Sequence, residues 1–145
     1  MKTNKIAFML IGIMLLVLLA GCASQPAAES VVQAMSAEEI ATLPYNVTVD
    51  QTYEAMQSGD VFVLDVREQS EYDAGHIPGV TLIPMNEIPN RLDEIPADQQ
   101  VIVTCRSGNR SSQVAAYLAN AGFDNIHNME GGIIAWESAG YPVEK

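Results

Sequence analysis

The chain has 145 residues, 48% of them hydrophobic and 17% charged, a composition that suits one globular domain and not a disordered chain. Its formal net charge is −11. Such acidity argues against a nucleic-acid partner, because phosphate contacts need a basic face.

Residues 1–5 include Lys2 and Lys5, and residues 6–20 are almost unbroken apolar. That run is short for a membrane span and typical of a signal-peptide core. It ends in Leu19-Ala20-Gly21-Cys22, which resembles the bacterial lipobox, whose Cys is acylated and becomes the first mature residue. The expected organisation is a lipoprotein signal peptide over 1–21, a flexible tether over 22–35 starting at lipidated Cys22, and one folded domain over 36–145. An uncleaved membrane helix is the alternative. The lipid reading puts the protein at the cell envelope, on the extracytoplasmic face of the membrane. Ala23, not Asp, follows Cys22, which leans towards the outer membrane in a two-membrane cell. Beyond Cys22 only five basic residues face 18 acidic ones, which serves solubility and makes Arg67, Arg91, Arg106 and Arg110 informative.

The domain reads in chain order as follows. Ser36 and Glu39 match a capping box at the start of a short helix. Val47-Thr48-Val49 reads as a short strand, with Asp50 capping a helix to about residue 57. Val61-Phe62-Val63-Leu64 is a continuous apolar run, as in a strand buried on both faces, and it stops at Asp65. Residues 68–74 form a short polar helix ending at Gly75. Val80-Thr81-Leu82-Ile83 is another strand, and residues 86–92 a helical turn or two. After Pro96, Val101-Ile102-Val103-Thr104 is the second clear buried strand. A helix spans residues 111–120, with Ser111 as a candidate N-cap. Ile126 begins a last strand, and Gly131-Gly132 leads into a final helix around Trp136, itself a core residue. Alternating strands and helices imply an α/β domain with a central, mostly parallel sheet flanked by helices. Ligands bind at strand carboxyl ends in such folds, where Asp65 and Cys105 stand.

With Cys22 accounted for, Cys105 is a lone thiol and a candidate reactive group. Two histidines and no Cys pair at ligand spacing indicate no metal site. A lone Cys is by itself most often a small buried hydrophobe. Its continuation, Arg106-Ser107-Gly108-Asn109-Arg110-Ser111, is a poor core strand and a good anion cradle. Gly108 and Asn109 tolerate unusual backbone angles, so several N–H groups can converge on one point, which the positive end of the next helix also faces. A thiol there loses its proton easily.

These residues carry a resemblance to rhodanese domains. The loop is similar to that family's active-site loop. Asp65-Val66-Arg67-Glu68, Glu71-Tyr72 and Gly75-His76-Ile77-Pro78-Gly79 resemble its first signature. Gly131-Gly132-Ile133, Ala135-Trp136 and Gly140-Tyr141-Pro142-Val143 resemble its C-terminal one. The likeness covers about residues 46–143. It implies a single-domain rhodanese-like fold and a sulfurtransferase in which the Cys105 thiolate takes a sulfane sulfur from a small anionic donor such as thiosulfate. The resulting persulfide passes the sulfur to a thiol or cyanide. Cys105 is then the nucleophile, backbone N–H groups from Arg106, Ser107, Gly108, Asn109 and Arg110 the cradle, and the Arg106 and Arg110 side chains candidate substrate contacts. No cofactor is implied. Asp65 can orient the loop, Arg67 can pair with Glu68 or Glu71, and Ser111 can support the site; His76 reads as structural. The span from Cys105 to Arg110 is six residues, as in sulfurtransferases. Related phosphatases and arsenate reductases have one more, which argues against those activities. The other reading is a persulfide-carrying or redox-sensing module that serves a thiol-redox protein partner and turns over free donors poorly.

Overall fold

The computed structural model describes residues 33–145. The expected signal peptide, Cys22 and nearly all of the tether lie outside the described residues. Among these residues no helix is long and apolar enough to cross a membrane.

Helix α1 (Ala37–Ala41) opens on the capping box expected at Ser36 and Glu39. Strand β1 (Asn46–Val47) is shorter than its apolar run suggests. Thr48 caps α2 (Val49–Ser58) in place of Asp50, because Thr48 and Gln51 satisfy each other's backbone N–H groups. Then follow β2 (Val61–Asp65), α3 (Gln69–Ala74) and β3 (Thr81–Leu82). The helical turns expected over 86–92 are two 3-10 turns, Ile88–Asn90 and Leu92–Glu94; Pro89 has no N–H with which to extend a longer helix. Strand β4 (Gln100–Thr104), helix α4 (Asn109–Asn120), strand β5 (Ile126–Met129) and helix α5 (Gly132–Ser138) complete the domain.

The five strands form one parallel sheet in the order β1-β5-β4-β2-β3. Side chains alternate across each strand, so every central strand feeds two cores. Leu64, Val101 and Val103 pack with Val114, Ala115 and Leu118 of α4 on one face. Val63 and Ile102 pack with Ala55 of α2 and Ile133 and Trp136 of α5 on the other. Trp136 is buried, as expected of a core residue, and its indole N–H donates to the Pro142 carbonyl at 2.8 Å. Each fully buried large apolar side chain contributes about 1.5–3 kcal/mol relative to exposure.

This register positions the site. β2 and β4 run side by side to Asp65↔Thr104, and Asn128 of β5 lies beside Val103 of β4 and Asn46 of β1. The residues that leave these carboxyl ends therefore meet at one edge of the sheet.

Candidate active site: a cradled thiol at the end of the central strand

Cys105 follows β4 directly and is almost wholly buried, at 1% exposure. The chain turns so sharply after it that Gly108 adopts φ +91, a left-handed conformation that disfavours any side chain. In return the Gly108 N–H points back and donates to Cys105 Sγ at 3.1 Å. Gly108 is also the N-cap of α4, which starts at Asn109. Ser111, expected as the cap, instead sits within the first turn, fully buried. Its hydroxyl lies 3.5 Å from Cys105 Sγ and 2.7 Å from Asn128 Oδ1.

The loop's carbonyls are disposed of separately. α5 begins against them, and its first free N–H groups donate to the loop: Ile133 to the Cys105 carbonyl at 2.9 Å and Ile134 to the Arg106 carbonyl at 3.2 Å. The loop is thus sorted by polarity, with acceptors spent on α5 and donors turned to the sulfur. Gly132 makes the approach possible. It has φ +56, and a Cβ there would collide with the Cys105 carbonyl oxygen and come within 2.6 Å of Ser107 N.

Burial pushes the Cys105 thiol up, but donors outweigh it. The Ser111 hydroxyl and the backbone N–H groups of Ser111, Ser107 and Gly108 bring the thiol below its ordinary value. The effective cradle is therefore Ser107, Gly108 and Ser111. Arg106, Asn109 and Arg110, expected to lend N–H groups, are not among these donors; the Asn109 side-chain carbonyl accepts from Gln113 at 2.8 Å along α4.

The arginines divide differently from expectation. Arg67 does not pair with the side chain of Glu68 or Glu71. It grips buried Asp65 through Nε and Nη2 at 2.7–3.0 Å and donates to the Glu71 and Gly75 carbonyls. The short sequence separation and shared burial favour Asp65, and the pair ties the end of β2 to α3. Arg110 is held by both oxygens of Glu71 at 2.7 and 2.8 Å, joining α4 to α3. Arg91 pairs with Glu87 and Glu94. Among the described residues Arg106 alone of the four arginines has no carboxylate partner. It is exposed on a cavity of about 280 Å³ shared with Arg67, Glu71, Ile133, Ile134 and Glu137. A larger cavity of about 360 Å³, between Tyr53, Val63 and Trp136, is apolar and touches no residue of the loop. His76 stacks on Tyr72 and bonds its carbonyl, outside the thiol's contacts.

Sequence reading missed Asn128 and Gly132. Asn128 had a signal, a polar residue inside a buried strand. Its partner Ser111 is 17 residues away, and only the sheet joins them.

Fold and loop together define an α/β domain whose buried thiol stands, cradled by N–H groups, at the carboxyl end of a central parallel strand. The model of the rhodanese-like domain family matches residues 48–139. A sulfurtransferase of Allochromatium vinosum is 45% identical over 84 residues, 58% of this chain and 78% of that protein. A thiosulfate sulfurtransferase of Pseudoalteromonas translucida is 36% identical over 94 residues, 65% of this chain and 90% of that one. Among solved structures, a rhodanese-related protein from Thermoplasma volcanium superposes with a TM-score of 0.65 at 34% identity, covering 70% of this chain and 98% of that chain. A rhodanese-like domain protein from Staphylococcus aureus gives 0.59 at 35% identity, covering 64% and 91%. The chain belongs to the rhodanese-like domain family, and the first two relatives named above are sulfurtransferases.

Proposed function

We propose that the protein moves a sulfane sulfur through a Cys105 persulfide, with a small anionic donor such as thiosulfate. The carrying observation is the thiol held by the Gly108 N–H at 3.1 Å, with the Ser111 hydroxyl beside it, at the head of a twelve-residue helix. The Cys105 thiolate attacks the outer sulfur of thiosulfate. A new S–S bond forms, the donor's S–S bond breaks with its electron pair, and sulfite leaves. The negative charge now sits on the persulfide's outer sulfur, where loop N–H groups and the helix end stabilise it. Cyanide or a thiolate then takes that sulfur and regenerates the Cys105 thiolate. Arg106, free of carboxylate partners, serves as the donor's electrostatic contact. The chain acts from an extracytoplasmic membrane face through lipid on Cys22, a reading supported by the lipobox-like run alone.

Intact-mass spectrometry of the full chain recovered from membranes reads both points. Incubation with thiosulfate adds about one sulfur atom (~32 Da); cyanide removes it, and Cys105→Ser never gains it. Cys22→Ser loses the lipid mass and leaves the membrane fraction. No sulfur on an alkylatable Cys105 sinks the thiosulfate reading, and an unmodified, uncleaved N-terminus sinks the anchor.

A further inference from the structure

The Ser111 hydroxyl has one proton and stands between two acceptors, Cys105 Sγ at 3.5 Å and Asn128 Oδ1 at 2.7 Å. Asn128 in turn donates through Nδ2 to Asn46 Oδ1 at 3.0 Å. The four residues form a chain from solvent to nucleophile, because Asn46 is exposed while Asn128, Ser111 and Cys105 are at 5%, 0% and 1% exposure. In this direction Ser111 gives its proton to Asn128 and offers the sulfur a lone pair, which suits a thiol S–H. Both amides can also be reversed with no bond lost. Asn46 then donates to Asn128 Oδ1, Asn128 Nδ2 donates to Ser111 Oγ, and the hydroxyl proton faces the sulfur, which suits a thiolate or persulfide anion. The outer amide atom of Asn46 meets water in either direction.

We propose that Asn128 and Asn46 are positioning residues of the Cys105 site, a reversible amide pair that sets whether the Ser111 hydroxyl accepts from the thiol or donates to the sulfur anion. A cavity lined by Asn46, Ser107, Gly108, Asn128 and Glu130 lies over the outer end of the chain and gives Asn46 room to turn. The charged side chains about the site are Arg106 on the loop, the Arg110–Glu71 pair of α4 and α3, the Asp65–Arg67 pair beyond β2, Glu130 after β5, and Glu137 of α5. None is altered by the variants below. The inference rests on Cys105 being the nucleophile of the proposed reaction.

The test is iodoacetamide alkylation of the full chain in detergent across pH, read at the Cys105 peptide. The midpoint of the profile reports the thiolate, and the plateau rate reports access. Asn128→Asp supplies only acceptors and adds a negative charge, so Ser111 stays turned away from the sulfur and the midpoint rises; with Ser111→Ala in place the same change raises it about tenfold less in proton concentration, since only the charge then acts. Asn128→Ala leaves the Ser111 proton uncontested, so the midpoint falls. With Ser111→Ala in place, Asn128→Ala shifts the midpoint by less than about twofold in proton concentration, since the residues act as a unit. Loss of packing alone would move both Asn128 variants the same way. That result, unchanged midpoints, or an Asn128→Ala shift that persists in full without the Ser111 hydroxyl overturns the proposal. Alkylation needs no sulfur donor, so failure of the persulfide reading shows separately in the mass experiment.

Discussion

Glu71 and Arg110 face each other across the gap between α3 and α4 with two bonds of 2.7 and 2.8 Å. The Arg110 guanidinium, more than any other group, holds the Glu71 carboxyl down to about 2, against an ordinary 4.5. A carboxyl that binds its proton less readily when folded stabilises the fold above its unfolded value and loses that contribution as pH falls through the folded one. The pair therefore contributes above about pH 4.5 and fades as the pH approaches about 2. Glu71→Gln should cost about 1 kcal/mol at neutral pH, screened because both partners are partly exposed. Urea melts should show that gap closing at about pH 2; an unchanged gap would mean that the pair does not titrate with folding. Sequence reading expected an ion pair here but gave Arg67 either Glu68 or Glu71 as its partner. Both arginines are plausible partners in one dimension, and the choice was made by Asp65, which is buried beside Arg67 and would be left an unpaired carboxylate without it.

Two helix starts build the site between them. α4 turns its N–H groups towards the sulfur, and α5 takes up the loop's carbonyls. The boundary of α4 was misplaced from sequence because Ser111 is a good N-cap by residue type. The actual cap, Gly108, has no capping side chain and is selected by backbone angle. The second start depends on Gly132, where a Cβ has no space and φ is +56. Gly132→Ala should cost about 2–4 kcal/mol, combining a left-handed alanine with overpacking against backbone. It should also lower sulfur transfer by displacing the loop, so denaturation midpoint and initial rate are measured together. A variant with native stability and native rate would show that α5 can retreat without consequence.

The whole molecule carries −11 charges yet is proposed to take an anionic donor at a site with one arginine free of carboxylates. The two effects differ in range. Repulsion from the acidic surface acts over many ångströms and is screened at about 0.1 M salt, where the Debye length is about 10 Å. The Arg106 contact acts at close quarters and is screened less. kcat/KM for thiosulfate should therefore rise by a few-fold between about 0.01 and 0.15 M ionic strength, while an uncharged organic trisulfide donor shows little change. A steady fall for thiosulfate would mean that the local cationic field governs approach.

The sequence by itself determined the fold class and singled out the Cys105 thiol. Apolar runs of strand length, alternating with helices and closed by glycines, define a parallel α/β sheet. A loop of arginines, glycine and asparagine after Cys105 is incompatible with a core strand, so the thiol had to be read as exceptional. These are local signals, carried by residue type and spacing over a few positions. The tertiary structure decided the partners. That Glu71 holds Arg110 depends on α3 meeting α4, and that Asn46 and Asn128 stand in line behind Ser111 depends on strand register between β1, β5 and β4. Side-chain hydrogen bonds select among groups within about 3 Å, and residues 82 positions apart, such as Asn46 and Asn128, become neighbours only when the sheet closes.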